Sequence, residues 1–317
     1  MRIIFLGTPT FAVPSLKILV DNGYDIAAVI TAPDKPAGRG QKLQISEIKK
    51  YALENGLNIL QPEKLKDEAF LNNVKELHAD LQIVVAFRMM PDALWNMPKH
   101  GTINLHGSLL PQYRGAAPIQ RAVMNGEKVT GVTTFFLKHE IDTGNIIFRE
   151  EVIIGDDENA GELHDRMMHV GAELILKTVK AVENNSIELK EQSSFVKAGE
   201  VLHHAPKIFR DDCRMDFSKS VKHLYNQVRG LAPFPGAFFE IKNENGEPTL
   251  IKVFKAEIEE KSVFMTHHLV TDHKTFIRIS AADGILSLLE IQWPGKKRMS
   301  VQEFLRGHSI DENATIL

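Results

Sequence analysis

The sequence predicts an α/β protein: a Rossmann-like, mostly parallel sheet domain followed by a small, OB-like β-barrel domain. Three observations predict it. A chain of 317 residues calls for two domains at about 100–200 residues each. In its first half, short apolar runs alternate with longer stretches of helical periodicity, the pattern of βαβ units. After about residue 206 the pattern becomes short strands separated by Asn-Gly, Asp-Gly and similar turns.

Arg2 to Leu6 is a compact apolar run ending in Gly7, and Phe11, Val13, Leu16, Leu19 and Val20 then recur at helical spacing up to an Asn22-Gly23 stop. Asp25 to Ile30 reads as a second strand, Ile45 to Glu54 as a helix closed at Asn55-Gly56, and Leu57 to Leu60 as a short strand. Leu65 to Leu77 is a helix and Leu81 to Phe87 a strand. Thr102 to His106 is a further strand, Ala117 to Asn125 a helix, and Val129 to Leu137 and Ile146 to Ile153 two strands around a turn at Asp142-Thr-Gly144. A long helix, about Ala160 to Glu183, aligns Leu163, Met167, Val170, Leu174, Ile175, Thr178 and Val182 in one stripe, which reads as core packing. From about Ser186 to Pro206 the periodicity weakens while charge, Ser and Gly rise, as in a linker. A helix over Val221 to Gly230 then precedes strands over Ala237 to Ile241, Leu250 to Ile258, Thr275 to Ile279 and Ile285 to Trp293. The expected division is a catalytic domain over 1–187, a linker over 188–206 and a barrel domain over 207–317.

Composition excludes several classes. With 43% hydrophobic and 25% charged residues the chain is neither fibrous nor disordered. Its formal net charge of −3 gives no bulk positive field, so any RNA contact must be local. Residues 207–317 carry 16 Lys plus Arg and 15 Asp plus Glu, a net +1, against −4 for residues 1–206. The lone Cys213 can form neither an internal disulfide nor a cysteine-based zinc site, and it reads as a small buried hydrophobe in a reducing compartment. The apolar N-terminus is interrupted by Thr8, Pro9 and Thr10, too early for a signal segment, and the run from Leu81 to Phe87 is far shorter than the ~20 apolar residues that span a bilayer. A cytoplasmic protein without membrane contact is the expectation.

Asn104 and His106 are the polar pair that fits a purely structural strand badly. Two apart, they project from one face, and polar neighbours in a parallel strand covered on both sides are costly unless paired. They also stand at the strand's carboxyl end, where open α/β sheets place their ligands. Asp142 alone could be only a turn former. Asp-Thr-Gly also occurs in aspartic proteases, but that chemistry needs two carboxylates sharing a site. Gly7-Thr-Pro-Thr lacks the G-x-G-x-x-G pattern of a dinucleotide site. The loop Pro33 to Lys42 is polar, basic and glycine-rich, suited equally to a mobile surface or to phosphate contact. His267, His268, Asp272 and His273 show no established metal-ligand spacing.

Asn104-x-His106, Ser108-Leu-Leu-Pro-x-Tyr-Arg-Gly-x-x-Pro118 and Asp142-Thr-Gly144, in that order and spacing, resemble the folate-dependent formyltransferases. The Gly7-Thr-Pro-x-Phe-Ala12 start, the Lys35-Pro-Ala-Gly-Arg-Gly40 loop, Gly115-Ala-Ala-Pro-Ile-Gln-Arg121 and the C-terminal β domain are similar to those members that act on initiator methionyl-tRNA. The resemblance implies formyl transfer from 10-formyltetrahydrofolate, as co-substrate, to the α-amine of methionyl initiator tRNA, supporting translation initiation, in a cytoplasmic monomer with no metal. It implies Asn104, His106 and Asp142 as catalytic residues, with Asn104 and His106 donating to the developing oxyanion and Asp142 helping the imidazole handle a proton. It places the folate against Phe87, Arg88, Met89 and Met90 and the backbone of Ser108, Leu109, Leu110 and Pro111, with Lys138 to Asp142 as part of the wall. It assigns tRNA contact to Arg39, Lys42 and Lys207. Arg88 departs from the family's usual glycine, so its side chain must point elsewhere or reshape the pocket. Sugar-amine formyltransferases and formyltetrahydrofolate hydrolases share the trio, and a catalytically silent RNA-binding module is the reading from another class.

Overall fold

Apolar runs with no polar face need cover on both sides, and the central strands of the first sheet, such as Arg2–Gly7 and Leu81–Val85, are built from them. The computed structural model describes residues 1–37, 42–242, 246–259, 267–311 and 314–317. Its strands β1 (Arg2–Gly7), β2 (Asp25–Ile30), β3 (Ile59–Leu60), β4 (Leu81–Val85), β5 (Thr102–His106), β6 (Val129–Phe136) and β7 (Ile146–Ile153) form one sheet in the order β7-β6-β5-β4-β1-β2-β3. The pairs from β5 to β3 are parallel, and β6 and β7 close one edge antiparallel.

Helices α1 (Val13–Asp21), α2 (Glu47–Glu54), α3 (Glu68–Glu76), α5 (Pro118–Met124) and α6 (Ala160–Glu183) follow the expected periodicity, while the four-residue α4 (Asp92–Trp95) was not expected. Two of the expected helices start later than periodicity alone suggests, because capping side chains set the boundary. Ser46 accepts the Lys49 N–H at 3.3 Å and Asp67 the Phe70 N–H at 2.9 Å. Strand β4 stops at Val85, two residues before the predicted end, where Ala86 turns into the left-handed region at φ 49°. Lys35–Ala37 and Lys42–Gln44 pair as a short antiparallel hairpin within the expected basic loop.

Contacts divide the chain into two compact units, Met1–Gly115 with Val129–Ile153 and His164–His204, and Ala116–Lys128 with Ile154–Leu163 and Ala205–Leu317. The second unit is a nearly closed antiparallel barrel. Its strands β8 (Ala237–Lys242), β9 (Thr249–Glu259), β10 (Leu269–Thr271), β11 (Ile277–Ser280), β12 (Ile285–Gln292), β13 (Met299–Ser300) and β14 (Thr315–Ile316) run in the order β10-β11-β12-β9-β8-β14, with β13 on β12. Register shifts at Val253 to Ala256 bend the long strand β9. Phe217, Phe239, Ile251, Ile277, Leu286 and Phe304 fill the interior.

Helix α7 (Val221–Leu231) packs on the barrel and binds the Ile154–Leu163 segment through Arg229. That buried guanidinium donates to Gly155 O at 3.2 Å and Glu158 O at 3.1 Å. The short strands β10, β13 and β14 and helix α8 (Val301–Leu305), capped by Ser300 and Glu303, were not expected. Asp272 has a structural task in the turn after β10: it accepts the Thr275 hydroxyl and the N–H groups of Lys274, Thr275 and Phe276, which hold its carboxyl well below the usual range. Among the described residues no helix is long and apolar enough to cross a membrane.

Candidate active site

Strand alternation decides which side chains of β5 are free for chemistry. Leu105 faces α6, so closely that a Cβ on Gly171 would lie 2.7 Å from Leu105 Cδ2. Thr134, its partner in register, bonds Thr178 of the same helix at 2.9 Å. Asn104 and His106 therefore share the opposite face. His106 is buried at 6% exposure while Asn104 is half-buried. Among the described residues the Asn104 carboxamide makes no hydrogen bond, so both its N–H groups are available.

The loop after β5 folds on its own polar groups. Ser108 Oγ donates to Gln112 O at 2.6 Å, Thr133 Oγ1 of β6 donates to Ser108 O at 2.7 Å, and Leu110 N–H donates to Thr133 Oγ1 at 3.1 Å. This turns the Tyr113 carbonyl onto His106, whose Nε2 lies 2.9 Å away. A carbonyl only accepts, so Nε2 carries a proton and Nδ1 is the nitrogen that can gain or lose one. Nδ1 faces Asp142 Oδ2 at 3.8 Å.

Asp142 is held by two hydrogen bonds and a defined backbone conformation. Its Oδ2 accepts the Gly115 N–H at 3.0 Å, its backbone takes the left-handed conformation at φ 56°, and its carbonyl accepts from Gln192 Nε2 at 2.7 Å. The same Gln192 amide reaches Gly144 O at 2.9 Å, and its oxygen accepts from Arg114 Nε at 3.0 Å. A Cβ on Gly144 would fall 1.6 Å from Phe136 O, so only glycine lets the loop return this close to its strand. The structure thus joins Asn104, His106 and Asp142, and adds Gln192, which sequence reasoning missed. Gln192 lies in a polar stretch with linker composition and gives no periodic signal. Thr133 was also missed, although the Thr133-Thr134 pair inside an apolar run is a legible hint of buried hydrogen bonding.

Phe87 to Met90 follow β4, the parallel neighbour of β5, and so share the carboxyl edge of the sheet. Phe87 packs partly into the core, whereas Met89 is 75% exposed. The Arg88 guanidinium donates to Glu63 O at 2.8 Å and to Pro62 O, in the segment that follows β3. Its Cζ stands 5.8 Å from the centre of the Phe87 ring, so the larger side chain lies against that aromatic face. Of the tRNA candidates, Arg39 lies outside the described residues, Lys42 opens the second strand of the short hairpin, and Lys207 is exposed in the second unit.

An open carboxamide, a buried imidazole and a carboxylate meet at the end of a parallel sheet, an arrangement suited to proton and group transfer. The chain belongs to the formyl transferase family: the family's formyl transferase model matches residues 1–179 and its C-terminal domain model residues 207–309. It is 50% identical over 313 residues to the methionyl-tRNA formyltransferase of Bacteroides fragilis, covering 98% of this chain and 96% of that one. It is 47% identical over 319 residues to the enzyme of the same name from Flavobacterium johnsoniae, covering 100% and 99%. Among solved structures, the fold resembles that of an N-formyltransferase from Helicobacter canadensis in complex with folinic acid and dTDP-3-aminofucose, with a TM-score of 0.65 over 91% of this chain and 98% of that one. At 21% identity that likeness concerns the fold alone.

Proposed function

We propose that this chain transfers a formyl group from 10-formyltetrahydrofolate to the α-amino group of methionyl initiator tRNA, as its closely related relatives are named to do, with Asn104, His106 and Asp142 as the catalytic residues. The observation that carries the reading is the uncommitted Asn104 carboxamide beside a histidine whose Nε2 is fixed and whose Nδ1 faces a carboxylate. The folate supplies the formyl group and leaves with a proton. A bond forms from the amine nitrogen to the formyl carbon, the bond from that carbon to the folate nitrogen breaks, and the amine gives up one proton.

Each residue has a task in that exchange. Asn104 donates an N–H to the formyl oxygen as negative charge gathers on it. His106 donates to the same oxygen or takes the amine proton at Nδ1, while Nε2 keeps the ring oriented through Tyr113 O. Asp142 faces the Nδ1 that holds that proton. The folate is assigned to Phe87, Arg88, Met89 and Met90 and to the backbone of Ser108, Leu109, Leu110 and Pro111, where apolar side chains beside backbone polar groups suit a flat heterocycle. Arg39, Lys42 and Lys207 supply phosphate contacts, and the barrel unit serves tRNA.

Substitution separates chemistry from binding. His106→Ala is expected to abolish formyl transfer, and Asn104→Ala to lower kcat by about 10²–10³, the usual loss for one oxyanion donor. In both variants the Kd for tRNA, measured by filter binding, stays near the wild-type value. Loss of tRNA binding in parallel with activity would overturn these roles.

A further inference from the structure

The second unit carries a pocket that the formyl-transfer site does not use. Its volume is about 530 Å³, within the range of about 300–1,000 Å³ common for small-ligand sites. Ile208, Phe234, Phe238 and Leu250 contribute apolar wall, the charged lining residues are Lys207, Arg210 and Lys252, and none of the lining residues is acidic.

Two aromatic side chains at this pocket are left in water: Phe209 is 62% exposed and Phe234 79%. Phe234 stands between Pro233 and Pro235, whose fixed φ angles restrict the backbone that presents its ring. Gly236 follows at φ 88° and turns the chain back into β8. The cations sit among aromatic faces, Lys207 Nζ 5.8 Å from the Phe209 ring and Arg210 Cζ 5.7 Å from the Phe238 ring. Lys252 Nζ donates to Pro235 O at 2.9 Å and retains two further donors. The neighbouring carboxylate of Asp212 does not neutralise them. It is turned to Arg121 at 3.0 Å and to the Phe209 N–H at 2.8 Å.

Exposed aromatic side chains in a pocket also lined by cations are the chemistry that binds a flat base joined to a phosphate. In a chain of net charge −3, a pocket with three cations and no acid is a local exception. We propose that it holds one unpaired nucleotide of an RNA, the base stacked on Phe234 and the phosphate met by Lys207, Arg210 and Lys252. The proposal rests on the tRNA reading above and extends it from backbone contacts to a base-stacking site in the barrel unit.

The test uses the full chain with Phe234→Ala and Phe234→Trp. Phe234→Ala is expected to raise KM for charged initiator tRNA about tenfold, the scale of one lost base stack, with the rate at saturating tRNA and the KM for folate held. Phe234→Trp retains the wild-type KM, and its fluorescence, corrected for the wild-type signal of Trp95 and Trp293, is quenched by uncharged tRNA. An unchanged KM in Phe234→Ala, or a Phe234→Trp signal indifferent to saturating tRNA, overturns the proposal. Should the chain fail to formylate tRNA, titrating Phe234→Trp with single-stranded oligoadenylate still decides the matter. Quenching supports a nucleotide site on its own, and no quenching removes it.

Discussion

His106 can exchange a proton only through Nδ1, because Nε2 is committed to the Tyr113 carbonyl at 2.9 Å. In the proposed mechanism the position of Asp142, 3.8 Å from that nitrogen, governs the proton transfer, and Gln192 holds the Asp142 carbonyl. Replacing Gln192 with Leu removes the donors to Asp142 O and Gly144 O and leaves carbonyls unpaired, at a cost of about 1–3 kcal/mol. We expect Gln192→Leu to lower kcat about 10- to 100-fold, as loss of an orienting partner commonly does, in a protein that circular dichroism reports as folded and whose KM for tRNA is unchanged. A kcat equal to wild type would show that the loop holds Asp142 without it. Asn104 and His106 were legible in the sequence because two polar residues on one face of a buried strand violate the hydrophobic pattern. Gln192 was not, because its partners are backbone carbonyls some fifty residues away, and nothing in a linear pattern marks such a pairing.

Elements with strong periodicity, such as β1, β5 and α6, were readable to within a residue or two, while the boundaries set by single interactions were not. Ala86 ends β4 by a backbone conformation that composition does not announce, and β10, β13 and β14 are too short to carry a period. Helix α7 shows how one bond joins an element to its surroundings. Tyr225 Oη donates to Asp157 Oδ1 at 2.7 Å, and burial together with that hydrogen bond pushes its hydroxyl up to about 12 from 10.0. A folded-state pKa above the unfolded one means the stabilisation is complete below pH 10 and is lost as pH rises towards 12. Tyr225→Phe should lower stability by about 1 kcal/mol at neutral pH and flatten the loss of stability between pH 10 and 12. Urea titrations across that range measure both effects, and a wild-type protein with no alkaline loss would contradict the assignment.

At the scale of the molecule, the chain order conceals how its parts group. Helix α5 and residues 154–163 join the barrel unit, with Gly230 so close to α5 that a Cβ would lie 2.5 Å from Met124 Cγ. Periodicity identifies a helix but not the body against which it packs. Charge follows the same lesson: a net −3 hides cations gathered locally in the second unit. Because phosphate contacts release counterions, tRNA binding should weaken steeply with salt. KM for tRNA is expected to rise about tenfold or more between 50 and 200 mM salt, given a few phosphate contacts, with the KM for folate little changed. A salt-independent KM for tRNA would exclude the cationic face as its docking surface.

The most direct test of the central claim is formyl transfer by the purified chain, given 10-formyltetrahydrofolate and, in separate reactions, charged initiator tRNA, glycinamide ribonucleotide and an amino-sugar nucleotide. The account predicts rapid turnover on the tRNA alone, abolished by His106→Ala. Turnover on the sugar nucleotide in place of the tRNA, or cleavage of the folate with no formylated acceptor, would contradict it.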